Sequence, residues 1–276
     1  MVLTVLSENT TASKELDCEH GLCLHIETGS RKILFDTGAS GLFAENAKKL
    51  GIDITQVDTA VISHGHYDHG GGLETFLRVN GKAAVYLHRK AFEKHYSART
   101  GGVAAYIGLN ESLQNNERFI FCGDRFTIDE GIELFSDVYG ERLVPSGNAG
   151  LLTKKDDVYI PDDFSHEQNL IITEGHKSLL LAGCAHKGIV NIIDRFTDEK
   201  KRPPDYVVGG FHLKAHSAQK NETPHVIDSI AGILSENNTL YYTCHCTGLE
   251  AYNRMKTVMG EKLGYLSAGD KLTVTL

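Results

Sequence analysis

The sequence predicts an α/β protein of four layers, helix–sheet–sheet–helix, with an inserted cap at about residues 87–147. Three observations lead there: an early run of short apolar strands separated by turns, a later half in which strands and helices alternate, and a histidine cluster placed directly after a buried strand. The 276 residues, 41% of them hydrophobic, are enough for a real core. No linker-like stretch and no strong internal repeat divides the chain, so residues 1–276 read as one domain that carries the cap.

Met1 to Leu6 reads as a first strand, too short and too soon interrupted by Ser7, Glu8 and Asn9 for a signal peptide. Leu22 to Ile26 is apolar, and Arg31 to Phe35 is a strand preceded by the hairpin loop Glu27-Thr28-Gly29-Ser30. Between Gly41 and Leu50 the residues Leu42, Phe43, Ala47 and Leu50 share one helical face, and Gly51 stops the helix. Asp58 to Ser63 is a buried strand. From Leu87 to Val144 the pattern is less regular, and helices are predicted over Ala91 to Ala98 and Glu111 to Asn115, with a break at Gly101-Gly102. Asn169 to Thr173 and Ser178 to Ala182 flank Glu174-Gly175-His176-Lys177, a hairpin signal. Helix Gly188 to Phe196, strand Tyr206 to Gly210, helix Pro224 to Leu234, strand Leu240 to Thr243 and helix Leu249 to Met259 follow. A hairpin-rich half followed by a strand–helix half packs as two sheets with helices outside.

The formal charge of −8 disfavours a large nucleic-acid surface, which needs clustered Lys and Arg. Arg89, Lys90, Lys94, His95 and Arg99 form a local basic cluster that reads as a solvated helix face. No apolar run approaches the roughly 20 residues that cross a membrane, and the expected location is the cytoplasm. The six cysteines, Cys18, Cys23, Cys122, Cys184, Cys244 and Cys246, are too few for a disulfide frame and read as free thiols. Cys244-His245-Cys246 resembles a fragment of a zinc site but lacks the second ligand pair of a closed one.

The decisive stretch runs from Ser63 to Gly72, S-H-G-H-Y-D-H-G-G-G. His64, His66, Asp68 and His69 place four candidate ligands within six residues, and imidazole with carboxylate suits zinc, iron or manganese. His64 and His66 lie two apart, so in extended backbone both reach one ion, while Asp68 and His69 follow at a turn and face a second. The motif sits just after Val61-Ile62, where a strand end holds ligands rigidly.

These residues resemble the metallo-β-lactamase-fold superfamily. Glu19-His20-Gly21-Leu22, Leu34 to Gly38, Gly183 to Asn191, Gly209 to Leu213 and His245 to Gly248 narrow the likeness to the dihydropteroate-synthase-like, ribofuranosylaminobenzene-phosphate-synthase-like branch. The resemblance implies a dinuclear metal centre on a metallo-β-lactamase-like αββα sandwich, with further ligands from later strand ends. It points to His186 and His212 as ligands, and to His245 as a ligand or a substrate contact, with Thr247 and Gly248 opening a helix whose amides bind an anion. It also exposes two departures. Cys184 stands where the bridging aspartate is normal, either as a ligand or as a small buried residue, and His166-Glu167 hold the place of the preceding histidine but read as surface. Asp36 is expected to orient the loop or a histidine ring, and His20 is a further candidate. His25, His88, His95, His176, His216 and His225 read as structural or solvent-facing.

The chemistry implied is hydrolysis, or a related transfer, of a phosphorylated or carbonyl-bearing small molecule by water activated between two divalent ions, with zinc the first expectation and Asp68 orienting the water and moving its proton. A pterin–aminobenzene condensing synthase using the same metals and a non-catalytic metal-bound ligand sensor are the competing readings. Oligomeric state is left open.

Overall fold

The computed structural model describes residues 1–214 and 221–275, so His216 lies outside the described residues. In chain order the elements are β1 (Val2–Ser7), β2 (Cys23–Glu27), β3 (Lys32–Phe35), α1 (Leu42–Lys49), β4 (Thr59–Ile62), α2 (Tyr67–Gly70), α3 (Leu73–Val79), β5 (Ala84–His88), β6 (His95–Ala98), β7 (Ala104–Tyr106), β8 (Phe119–Cys122), β9 (Arg125–Asp129) and β10 (Ile132–Phe135). Then come β11 (Leu151–Lys155), β12 (Val158–Pro161), β13 (Asn169–Glu174), β14 (Lys177–Ala182), α4 (Ile189–Lys200), β15 (Tyr206–Gly209), α5 (Pro224–Ser235), β16 (Leu240–Thr243), α6 (Leu249–Met259), β17 (Leu263–Tyr265) and β18 (Lys271–Thr273).

Two seven-stranded sheets form the body, ordered β18-β1-β2-β3-β4-β5-β8 and β17-β16-β15-β14-β13-β10-β9. The period-2 alternation of each strand decides which layer a side chain joins. Ile33, Phe35, Leu179 and Leu181 meet between the sheets. Their neighbours Leu34, Leu180 and Ala182 face outward, Leu34 under α1 and α3 with Phe43 and Phe76, and Leu180 and Ala182 under α4, α5 and α6 with Phe196, Ile230 and Met255. Helix, sheet, sheet and helix therefore stack as the sequence predicts. Strands β3 to β4 and β14 to β16 run parallel, so within each sheet their C-terminal ends share one edge.

The region expected as a cap divides differently. Strand β8 completes the first sheet and β9–β10 enter the second. A separate four-stranded sheet, β12-β11-β6-β7, draws on residues before and after them. The expected helix over Ala91 to Ala98 is instead a turn followed by β6, which pairs with β7 and β11. His95 and Ser97 point inward and Tyr96 packs against Tyr106 and Tyr159 outside, so tertiary pairing sets the alternation that local propensity missed.

Gly209 ends β15 at φ 150°, where a Cβ would stand 2.0 Å from the Ala182 carbonyl oxygen. We predict that Gly209→Ala destabilises the fold by more than about 1 kcal/mol, measured as the shift in urea midpoint at unchanged slope. A variant of wild-type stability would contradict the close approach of β14 and β15.

Candidate metal centre

Each site residue is delivered by a strand end or by the turn that follows it. Asp36 follows β3, Ser63 and His64 follow β4, and α2 carries Asp68 and His69. Cys184 and His186 follow β14, His212 follows β15, and His245 and Cys246 follow β16. Asp36, Ala185, His212 and His245 hold φ between 50° and 61°. Non-glycine residues at such angles each cost of order 1–3 kcal/mol and gather where function over-determines the backbone.

Hydrogen bonding fixes the proton positions of four imidazoles. Ser63 Oγ donates to Asp36 at 2.8 Å and so accepts from His64 Nδ1 at 2.9 Å. The Asp36 carboxylate accepts from His69 Nδ1 at 2.6 Å. Asn148 gives its amide hydrogen to the His186 carbonyl, which turns its oxygen to His186 Nδ1 at 2.9 Å. Asn9 Oδ1 takes the Gly21 N–H and His245 Nδ1, the latter at 2.8 Å. All four rings thus direct Nδ1–H to an oxygen anchor and turn their Nε2 atoms toward the pocket. Those of His64 and His186 are buried without a hydrogen-bond partner, as are His66 Nε2 and both ring nitrogens of His212.

The Nε2 atoms converge. His69 Nε2 lies 3.1 Å from Cys184 Sγ and 3.2 Å from His245 Nε2. Asp68 Oδ2 lies 3.4 Å from His245 Nε2 and 3.8 Å from His69 Nε2. Nitrogen, oxygen and sulfur atoms packed this closely need either shared protons or a cation among them. The spacings lie at or just below the roughly 3.3–3.8 Å between donors on a tetrahedral ion with bonds of about 2.0–2.3 Å. The His64, His66 and His186 rings stand within 5.0 Å of one another. Overlapping groups of metal-binding geometry, Asp68–His69–Cys184–His245, His64–Cys184–His186, Cys184–His212–Cys246 and His64–His66–Asp68, share Cys184 in three of the four. The residues present fit a divalent metal centre.

The electrostatics agree. Burial, reinforced by mutual repulsion among the rings, holds His64, His66 and His186 well below the usual histidine range, in the neutral form that metals need. Burial alone would raise Asp68, but His69, His20 and His245 outweigh it and keep the carboxylate ionised. Burial would likewise lower His69, yet Asp36 and Asp68 raise it. Burial and the Cys246 sulfur push the Cys184 thiol up, while Cys184 and His245 hold Cys246 down against its own burial.

The structure brings His64, His66, Asp68, His69, Cys184, His186, His212 and His245 to one pocket or its floor. His20 joins them with Nε2 3.1 Å from Asp68, and Asp36 orients His69 while also taking the Ser63 N–H at 2.7 Å. Two expectations change, for His166 with Glu167 and for Arg99. Thr247 is fully buried, with its hydroxyl accepting from Phe211 N at 2.8 Å and paired with Thr243. Thr247 and Gly248 both line a neighbouring cavity of about 330 Å³, beside Lys214, Glu250 and Arg254. His166 and Glu167 are buried rather than surface residues, and Glu167 accepts from the His186 and Lys187 amides. His95 and His88 are buried too. Arg99, expected on a solvated helix face, lines the mouth of the metal pocket with Lys214. Cys246 is the candidate donor that sequence reading passed over, although its place two residues after Cys244 in a Cys-His-Cys run was the signal.

A family model described as the metallo-beta-lactamase superfamily matches residues 16–220. The chain belongs to that superfamily. Its structure is similar to that of Tm1679, described as a metal-dependent hydrolase of the beta-lactamase superfamily, with 31% identity, TM-score 0.83 and coverage of 100% of this chain and 99% of that one. It is 26% identical to the 7,8-dihydropterin-6-methyl-4-(beta-D-ribofuranosyl)-aminobenzene-5'-phosphate synthase of Methanocaldococcus jannaschii, over 91% of this chain and 88% of that protein. It is 27% identical to the uncharacterized protein MJ0448 of the same organism, over 96% and 98%. The zinc-bound PqqB of Methylobacterium extorquens shares the fold at TM-score 0.61 and 14% identity.

The depressed histidines give a pH dependence. Unfolded, each protonates near about 6.5, whereas folded His64, His66 and His186 resist protonation. Below that pH the unfolded chain binds more protons, so stability falls on acidification, and raised His69 opposes this only in part. The melting temperature of chelator-treated protein is predicted to drop steadily from pH 7 to pH 5. A flat profile would contradict the neutral buried state.

Proposed function

We propose that this protein is a metal-dependent hydrolase that binds two divalent cations and cleaves a phosphorylated or carbonyl-bearing small molecule. The observation that carries the reading is the set of imidazoles anchored through Nδ1–H with their Nε2 atoms turned toward each other, Asp68 and Cys184. His64, His66 and His186 would hold one cation, Asp68, His69 and His245 the other, with Cys184 between them and His212 and Cys246 alongside. A central sulfur favours zinc or iron over magnesium. Superfamily membership supports the reaction class.

Bound there, the cations would supply Lewis acidity and a water ionised near neutral pH. The chain's own residues do the rest. Asp68 stays ionised beneath the pocket and, bonded to His20, is placed to take a proton from an attacking water and pass it on. The pocket itself is narrow, about 60 Å³, and Ile107 and Leu151 line it beside Ser97, Arg99 and Lys214, which limits water around the reacting group. No described helix is long and apolar enough to cross a membrane, and we place the protein in the cytoplasm with a small-molecule substrate.

The expected outcome is two zinc equivalents per chain and turnover within a panel of p-nitrophenyl phosphate, bis(p-nitrophenyl) phosphate and p-nitrophenyl acetate, abolished by chelation and restored by zinc. Asp68→Asn should lower kcat by about 10²–10⁴. Undiminished activity after metal stripping would refute the proposal. The similarity to the archaeal synthase favours one second reading, condensation of a pterin with an aminobenzene-type amine. Product analysis of that mixture against the hydrolysis panel separates the two, and silence in both assays with metals bound points to a ligand sensor.

A further inference from the structure

A further buried cluster adjoins the metal loop and shares His66 with it. His66, His95, Asp162 and His166 offer donor atoms within 4.8 Å of one another. Its hydrogen bonds differ from those of the metal centre. Gly65 N donates to His166 Nδ1 at 2.9 Å, so that nitrogen carries no proton. An imidazole with no proton on Nδ1 is neutral and carries its one proton on Nε2. This is the opposite tautomer to His64, His69, His186 and His245, and an Nε2–H has no lone pair for a cation. It faces Asp162 Oδ2 at 3.4 Å. The same oxygen takes His95 Nδ1 at 2.7 Å, and the other Asp162 oxygen takes the Phe164 N–H at 2.8 Å. His95 then returns to the loop, because a Cβ on Gly65 would lie 2.8 Å from His95 Nε2 and 2.3 Å from the Ala91 carbonyl oxygen.

Gly65 joins the two histidines of the H-x-H turn, so this network grips the turn from both sides. We propose that His166, supported by Asp162 and His95, is a positioning residue for the His64–His66 turn and not a metal ligand, and that His186 supplies the third imidazole to the cation held by those two histidines. The proposal rests on the two-cation reading above. Its physical content is that the Gly65 N–H, buried with the loop, needs an acceptor, which His166 Nδ1 supplies. Asp162, 3.4 Å from Nε2, and His95, its ring centroid 3.9 Å away, pack against the ring that provides it.

The test uses zinc alone as the probe, on wild type, His166→Asn, His166→Ala and Asp162→Asn, with stoichiometry from elemental analysis and affinity from chelator competition. An asparagine oxygen occupies the Nδ1 position and accepts the Gly65 N–H without offering an imidazole. His166→Asn should therefore keep two equivalents at nearly wild-type affinity. His166→Ala and Asp162→Asn should keep two equivalents bound about 10- to 100-fold more weakly, with metal-free melting temperatures reported alongside. Should the alanine variant fail to fold, the asparagine variant still decides. One equivalent in His166→Asn makes His166 a ligand and overturns the proposal, as does wild-type affinity in His166→Ala, or a third zinc in wild type that Asp162→Asn removes. A wild-type chain that binds no zinc brings down the two-cation reading itself, a different and distinguishable result.

Discussion

Asp36 sits at the end of β3 with a left-handed backbone, and its two oxygens collect the Ser63 N–H, the Ser63 hydroxyl and His69 Nδ1. Those three bonds tie the ends of adjacent parallel strands together and set two tautomers at once. His69 is pinned directly. His64 is pinned through Ser63, whose hydroxyl has given its hydrogen to Asp36 and must accept from the ring. A carboxylate buried this deeply is costly unless every lone pair finds a donor. Here the donors are the residues whose other ends face the candidate metal centre, so the cost of burying Asp36 and the orientation of the site are one constraint.

The same economy recurs around the pocket with neutral partners. Asn9 at the end of the β1 segment holds His245, and Asn148 holds His186. Glu8 accepts the His245 backbone N–H and the Tyr265 hydroxyl. Each anchor is remote in sequence from the ring it holds, so the site closes only when both sheets are assembled. His245, held by Asn9 and Glu8, is one of the residues with a left-handed backbone. The buried ring nitrogens of His64, His66, His186 and His212 that lack partners are the kind a cation satisfies.

The two histidine clusters show how one residue type is put to two uses. In the metal centre the ring proton points outward to an oxygen anchor and the lone pair points in. At His166 the order is reversed, because a backbone N–H, rather than a side-chain oxygen, meets Nδ1. Imidazole has one donor and one acceptor when neutral, and the partner on the anchoring side decides which faces the site.

Much of the fold was legible in the chain itself. The alternation of Ile33, Leu34 and Phe35 and of Leu179, Leu180, Leu181 and Ala182 assigns faces to both sheets, and the spacing of His64, His66, Asp68 and His69 announces a metal loop, because period-2 geometry and ligand chemistry are local properties. Tertiary structure alone decided the rest. Residues 95–98 became a strand through a hairpin with β7 and through pairing with the distant β11. Thr247 turned inward to the Phe211 amide, and His166 and Glu167 were buried by loops far along the sequence. Which histidines present a lone pair to the site depends on Asn9, Asp36, Ser63 and Asn148, three of them distant in sequence from the rings they hold, and a hydrogen-bond partner that far away leaves no periodicity or spacing to read.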